Sequence, residues 1–317
     1  MMSIRVVAET LAMCVAFLCA TSGRAEEKPA AQESAAEKLG WRLALQGTGQ
    51  AGSFDQTVDT AQRLGFKYVA LHARQLPFSP TNERPGAIEA IKEKLRRVGV
   101  KLVCFEDDGG GLTIIPTGHG MAKVYEPSPD ADRIPKLFEF ANKLGIEIID
   151  APFDLKSAPD MLPGIEKLCV KYNVKLALRA GLTFADWSPE RALAVAKDFS
   201  KHIGVSLRAD GGAPGNPKPA ECISQLQLED RLLLLSLQDC ATGRSLQESH
   251  RHGSGVPWGA GTLDVKGILT ELKRQGFRGV IVMRDVRSVE KEREDNLRKS
   301  KEYFEKIAEE LLSAEKK

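Results

Sequence analysis

The chain has 317 residues, 42% of them hydrophobic, enough for one large α/β core or two small ones. Lysine plus arginine number 45 and aspartate plus glutamate 43, for a net charge of +2, and aromatic residues make up only 6%. That balance offers neither a global basic field nor the basic runs interleaved with aromatics that nucleic-acid binding uses.

Residues 1–25 stand apart from the rest. Arg5 gives a positive start, LAMCVAFLCA (11–20) is an apolar run too short to span a bilayer, and Gly23 and Ala25 are small residues placed for cleavage before Glu26. The pattern predicts a secretory signal peptide over 1–25 and an exported protein, periplasmic or extracellular. A membrane anchor is the alternative; a lipoprotein reading is poor because bulky Phe17 and Leu18 precede Cys19. The polar, low-complexity stretch 26–40 predicts a flexible linker, with one folded domain over 41–317. Loss of the signal leaves Cys104, Cys169, Cys222 and Cys240 without C-x-x-C spacing, which points to buried free thiols rather than disulfides or a zinc finger.

From Trp41 onward, apolar runs alternate with amphipathic stretches about every 30 residues, the rhythm of repeated βα units. The strand candidates, in order, are WRLALQ (41–46), KYVALHA (67–73), KLVCFED (101–107), IEIIDAP (146–152), KLALRAG (175–181), IGVSLRAD (203–210), LLLLSLQD (232–239) and GVIVMRDV (279–286). Helical patterns lie between them: 53–65 with Ser53 as N-cap, 84–99, 128–145, 157–173, 188–202, 219–230 and 264–277. A last helix from Ser288 carries an apolar stripe of Leu297, Tyr303, Phe304, Ile307 and Leu311. The strands are continuous apolar runs, so both faces are buried and the sheet is parallel. The fold class is therefore α/β, a (β/α)8 TIM barrel in a single domain. A doubly wound open sheet is the runner-up, disfavoured because no G-x-G-x-x-G follows the first strand.

Three strand candidates carry an arginine third from their end: Arg179, Arg208 and Arg284. In a barrel these guanidinium groups converge on the C-terminal mouth, where they can grip a carboxylate, phosphate or sulfate. The competing reading pairs Arg208 with Asp210 and Arg284 with Asp285, their sequence neighbours. The long glycine-rich segment 107–128 after the third strand lacks the lysine and helix of a P-loop, and His250 and His252 lie in another long loop, at 240–261.

VPWGAGTLDVKGILTELKRQGFRGVIVM (256–283) resembles the last βα unit of the sugar phosphate isomerase/epimerase family, the xylose isomerase-like barrels, through Gly259, Gly261, Asp264, Ile268, Leu269, Leu272, Gly276, Phe277 and Gly279. LGFKYVALH and KLFEFANKLGIEIID are similar to its second and fourth units. The resemblance implies a divalent metal held at the mouth by acidic and histidine ligands on strands four to eight. This chain departs from that pattern: Arg179, Arg208, Ser236 and Arg284 stand at the ligand positions, and the strand-two glutamate falls on Ala70. Guanidinium groups have no lone pairs for a cation, so no cofactor or metal is expected. A metal returns only if the register slips and Asp150, Asp210 and Asp285 are the ligands.

The expected partner is a small anionic sugar or sugar acid, with no nucleic acid and no membrane span, and with the oligomeric state open. Arg179, Arg208, Arg284, Ser236, Gln238 and Trp258 are the expected ligand-binding residues, Gln238 and Asp239 replacing a lysine–aspartate pair of the family and Trp258 stacking on a sugar ring. Glu106 is the first candidate for a base at the mouth, with Asp150 and His72 beside it; Glu106, Asp107 and Asp108 have the alternative of neutralising the arginines. Three functions follow: an isomerase or epimerase working by metal-independent proton transfer or lyase-like chemistry, a catalytically silent barrel that binds an acidic carbohydrate, or a metal-dependent isomerase in the slipped register.

Overall fold

In the computed structural model the described residues are 33–46, 53–76, 84–107, 133–153, 158–181, 188–211, 218–241, 255–285, 288 and 290–314. All eight expected strands form: β1 (Arg42–Gln46), β2 (Tyr68–His72), β3 (Lys101–Glu106), β4 (Ile148–Pro152), β5 (Lys175–Gly181), β6 (Ile203–Asp210), β7 (Leu232–Gln238) and β8 (Val280–Met283). They are parallel and close into a barrel in sequence order, with Arg42 to Leu45 of β1 facing Val280 to Met283 of β8. Burial explains the arrangement: every residue of β4 and β7 is buried, as a sheet covered on both faces requires.

Helices alternate with the strands: α1 (Ala35–Lys38), α2 (Phe54–Arg63), α3 (Ala87–Val98), α4 (Arg133–Leu144), α5 (Ala158–Tyr172), α6 (Pro189–Lys197), α7 (Pro219–Gln225), α8 (Val265–Arg274) and α9 (Glu290–Ser313). Local chemistry sets their ends. The Ser53 hydroxyl accepts from Gln56 N–H at 3.2 Å while Gln56 Oε1 accepts from Ser53 N–H at 2.9 Å, a reciprocal cap. Asp264 caps α8 by accepting from Gly267 N–H at 2.8 Å, and the turn after α8 uses Gly276 at φ +70°. No helix among the described residues is long and apolar enough to cross a membrane.

Two expectations are corrected. The packed unit starts at Ala35, inside the stretch expected to be a linker: α1 buries Ala36, and Glu37 pairs with Lys67 at 2.7 Å. Helix α7 stops at Gln225 rather than running to 230, because Leu226 turns extended and is buried together with Leu228.

Two cores result. One lies between sheet and helices and includes Trp41, Phe105, Phe138, Trp258 and Phe304; the other fills the barrel with Ala44, Ala70, Val103, Cys104, Ile148, Ala177, Leu233, Leu234, Val280 and Val282. Bulges in the β2–β3 and β6–β7 pairings let Val103 and Cys104, and Leu233 and Leu234, enter the inner core as consecutive pairs. Gly204 makes room for the second pair: a Cβ there would sit 2.6 Å from Leu233 and 2.4 Å from the Arg231 carbonyl.

Candidate functional site

Above the apolar plug, each strand's inward row ends in a polar side chain. Register fixes the neighbours: His72 lies opposite Glu106, Glu106 opposite Asp150, Arg179 opposite Ser206, Arg208 opposite Ser236, and Asp210 opposite Gln238. The three arginines do reach this end of the barrel, and each already holds a carboxylate. Arg179 donates through Nε to Asp150 Oδ2 at 3.1 Å and through Nη2 to the Asp150 carbonyl at 3.0 Å. Arg208 Nη2 donates to Glu106 Oε1 at 2.9 Å, and Arg284 Nη1 to Asp210 Oδ1 at 2.9 Å. The pairing therefore runs across strands. Arg208 takes Glu106 rather than neighbouring Asp210, and Arg284 takes Asp210 rather than Asp285.

The remaining acid oxygens are also engaged. Ser206 donates to Asp150 Oδ1 at 2.5 Å and Gln46 Nε2 to Glu106 Oε2 at 2.6 Å. Burial lifts the Asp150 carboxyl above its ordinary range, with Arg179 and Ser206 pulling the other way. Burial, followed by the like charge of Arg208, lowers the pKa of Arg284, while Asp210 and Glu106 oppose the shift. Beneath this layer the Cys104 thiol is pushed well above its usual range by burial and then by Asp150 and Glu106, so it stays a thiol. The cysteines described are free, as expected; burial pushes Cys169 up to about 12.

Several buried polar atoms of this layer have no hydrogen-bond partner among the described residues: Gln46 Oε1, Arg208 Nε, Ser236 Oγ, both amide atoms of Gln238, and Arg284 Nε. Ser236 and Gln238 are each 1% exposed. Gln46 and Ser206 were absent from the sequence-based site. The signal existed: each is a polar residue in an apolar run, two positions from an inward neighbour, Ala44 or Arg208.

Other expected site residues lie elsewhere. Trp258 is buried against Phe304 of α9, with ring centroids 6.3 Å apart, so its stacking role is withdrawn. Asp239 is taken up by the described part of the β7–α8 connection, accepting N–H bonds from Cys240 and Leu263 at 2.9 Å and from Gly259 and Gly261 at 3.0 Å. Asp210 is on the inward face without any slip, but Asp285 turns to accept from Ser288 N–H at 3.1 Å. Asp150, Asp210 and Asp285 do not converge: among the described residues no three His, Cys, Asp or Glu side chains are grouped as metal ligands. Residues 1–32, the segment 108–132 with Asp108, and His250 and His252 lie outside the described residues.

The family model of the xylose isomerase-like TIM barrel matches residues 58–307. Among solved structures, the IolI protein with a bound zinc atom is 15% identical, covering 84% of this chain and 99% of that one, with a TM-score of 0.62. D-allulose 3-epimerase from Methylomonas sp., solved with D-allulose, is 13% identical, covering 84% and 97%, with a TM-score of 0.59. An uncharacterised protein from Parabacteroides distasonis is 23% identical, covering 84% and 98%, with a TM-score of 0.57. At these identities the likeness to solved structures speaks to fold alone. A search of curated proteins finds no match.

Proposed function

This chain belongs to the xylose isomerase-like TIM barrel family, related to sugar epimerases and isomerases, and we propose that it is an exported member that binds an anionic carbohydrate at the barrel mouth without a divalent metal. The observation that carries this reading is the row of buried polar atoms without partners among the described residues, from Gln46 Oε1 through Arg208 Nε, Ser236 and Gln238 to Arg284 Nε. A buried polar group left unpaired costs about 1–3 kcal/mol, so a row of them in one layer calls for a ligand that completes it. Donors and acceptors are mixed, which suits the hydroxyl groups of a sugar. The metal-free reading is supported by the donor chemistry: guanidinium groups offer no lone pair, and both oxygens of Asp150 are committed to Arg179 and Ser206.

Binding is favoured over turnover because Glu106 and Asp150, the expected bases, hold hydrogen-bonded partners on every carboxylate oxygen. One observation keeps a catalytic reading alive: His72 is half-buried and opposite Glu106 in register. Proton transfer by His72 requires that a carbon-bound hydrogen of a bound sugar acid exchange in deuterium oxide; absence of exchange leaves a binding protein. Export rests on the pattern of residues 1–25 and predicts a mature chain beginning at Glu26 when protein recovered outside the cytoplasm is sequenced from its N-terminus.

The test of the main reading is calorimetric titration with a panel of hexonates, hexuronates and neutral hexoses after chelator treatment and desalting. Binding should survive chelation. Binding or turnover that appears only on adding Mn, Co or Zn would overturn the reading.

A further inference from the structure

We infer that the acidic group of the ligand is a carboxylate, received by the Nε–H groups of Arg208 and Arg284, with an adjacent hydroxyl taken by Ser236 and Gln238. The inference rests on the carbohydrate reading above and deepens it. It also reduces three converging arginines to two. Arg179 is committed: its Nε and Nη2 both donate to Asp150, and Ser206 closes the remaining Asp150 oxygen. Among the described residues Arg208 and Arg284 are each tied by one terminal nitrogen, to Glu106 and Asp210, and each has a buried Nε–H with no partner there. Their like charges act on each other, since Arg208 works with burial to lower the Arg284 pKa. A negative group between them relieves that repulsion and satisfies both donors.

Charge selects the class of anion. Among the described residues the inward side chains bring three guanidiniums and three carboxylates in formed pairs, so their formal charges cancel. Such a site tolerates one added negative charge far better than two, because an uncompensated buried charge is heavily penalised. This disfavours a phosphate dianion and favours a monoanion. Two single N–H donors on separate side chains match the two oxygens of a carboxylate. Ser236 and Gln238 add one hydroxyl and one amide, all three polar atoms buried and unpartnered among the described residues, for a hydroxyl beside the carboxylate.

The experiment titrates the full chain with hexonates and hexuronates, their neutral parent hexoses, hexose 6-phosphates and hexose 6-sulfates at fixed ionic strength. The sugar carboxylates should bind about tenfold or more tightly than either the neutral parents or the phosphates. Arg284→Met should remove about tenfold from carboxylate binding and cost the neutral parents distinctly less, so that the preference for the acid narrows. Because that change strands Asp210, the double variant Asp210→Asn/Arg284→Met is measured beside it and should show the same selective loss. Gln238→Leu removes two unpartnered atoms, so it should keep or raise Tm while weakening every sugar acid that binds. Neutral parents binding as tightly as the acids would overturn the carboxylate inference and leave the carbohydrate reading standing. Preference for 6-sulfates or 6-phosphates would overturn it in favour of another anion. If no sugar in the panel binds, the proposed function falls and this inference with it.

Discussion

Arg179 and Asp150 are so far from solvent that neither ion is rehydrated when its partner is lost. Arg179→Met should therefore destabilise the protein by about 3–5 kcal/mol, the range for stranding one member of a buried pair. Asp150→Asn in that background should restore part of the loss, because an amide still accepts from Ser206 and carries no charge. Urea midpoints of the two single variants and the double variant measure this coupling. Asp285 gives a pH prediction. Burial raises its pKa, with the Ser288 hydrogen bonds opposing, so the native state holds that proton more tightly than the unfolded chain does. Its contribution is greatest below the unfolded aspartate value of about 3.9 and is lost as pH rises through the higher folded value. The stability of the wild type relative to Asp285→Asn should rise as pH falls from 7 towards 4, and a flat difference in urea midpoints would refute the shift. At this scale the sequence places the three arginines on the inward face but not their partners. Arg208 reaches Glu106 from 102 positions away and Arg284 reaches Asp210 from 74, and such distant partners leave no local pattern to read.

The β7–α8 connection shows how an element ties down the site's rim. Asp239, one residue beyond inward-facing Gln238, gathers four backbone N–H groups from Cys240 to Leu263. Gly261 must pass close to that carboxylate: a Cβ there would lie 2.2 Å from Asp239 Oδ1 and 2.4 Å from the Cys240 carbonyl. The carboxylate end is pinned by its N–H bonds and the carbonyl is backbone, so Gly261→Ala should lower stability by about 1–3 kcal/mol, as other overpacking changes do, read as a fall in the urea midpoint. Elements were the most legible part of the chain. Apolar runs located all eight strands, and the Ser53 cap located the start of α2. The bulges were not legible. Counted by twos from Lys101, strict alternation in β3 points Phe105 inward and Glu106 outward, and only the extra residue at Val103–Cys104 restores Glu106 to the barrel interior. Leu226 misled in the same way: apolar periodicity extended α7 to 230, whereas Leu226 and Leu228 are buried from an extended segment.

For the whole molecule, the barrel couples whatever binds at its mouth to global stability, because Gln46, Glu106, Asp150, Arg179, Arg208 and Arg284 span strands from β1 to the end of β8. A ligand present at 100 times its Kd and bound only by the folded state adds about 2.7 kcal/mol. With about 2–4 °C per kcal/mol for a domain of this size class, that is a Tm rise of about 5–10 °C. The same thermal scan therefore reads both halves of the proposal. A resident-metal site of micromolar Kd must produce such a rise with 100 μM Mn, Co or Zn, and a fall on chelation. The paired guanidinium–carboxylate layer should give neither, with shifts below about 1 °C. A saturating sugar carboxylate should give the full rise in chelated protein, and Arg284→Met, by its tenfold loss of affinity, should cut the rise to about half. A metal-induced rise of several degrees would mean that donors beyond the described acids complete a cation site. The arginines would then be its neighbours rather than its replacement.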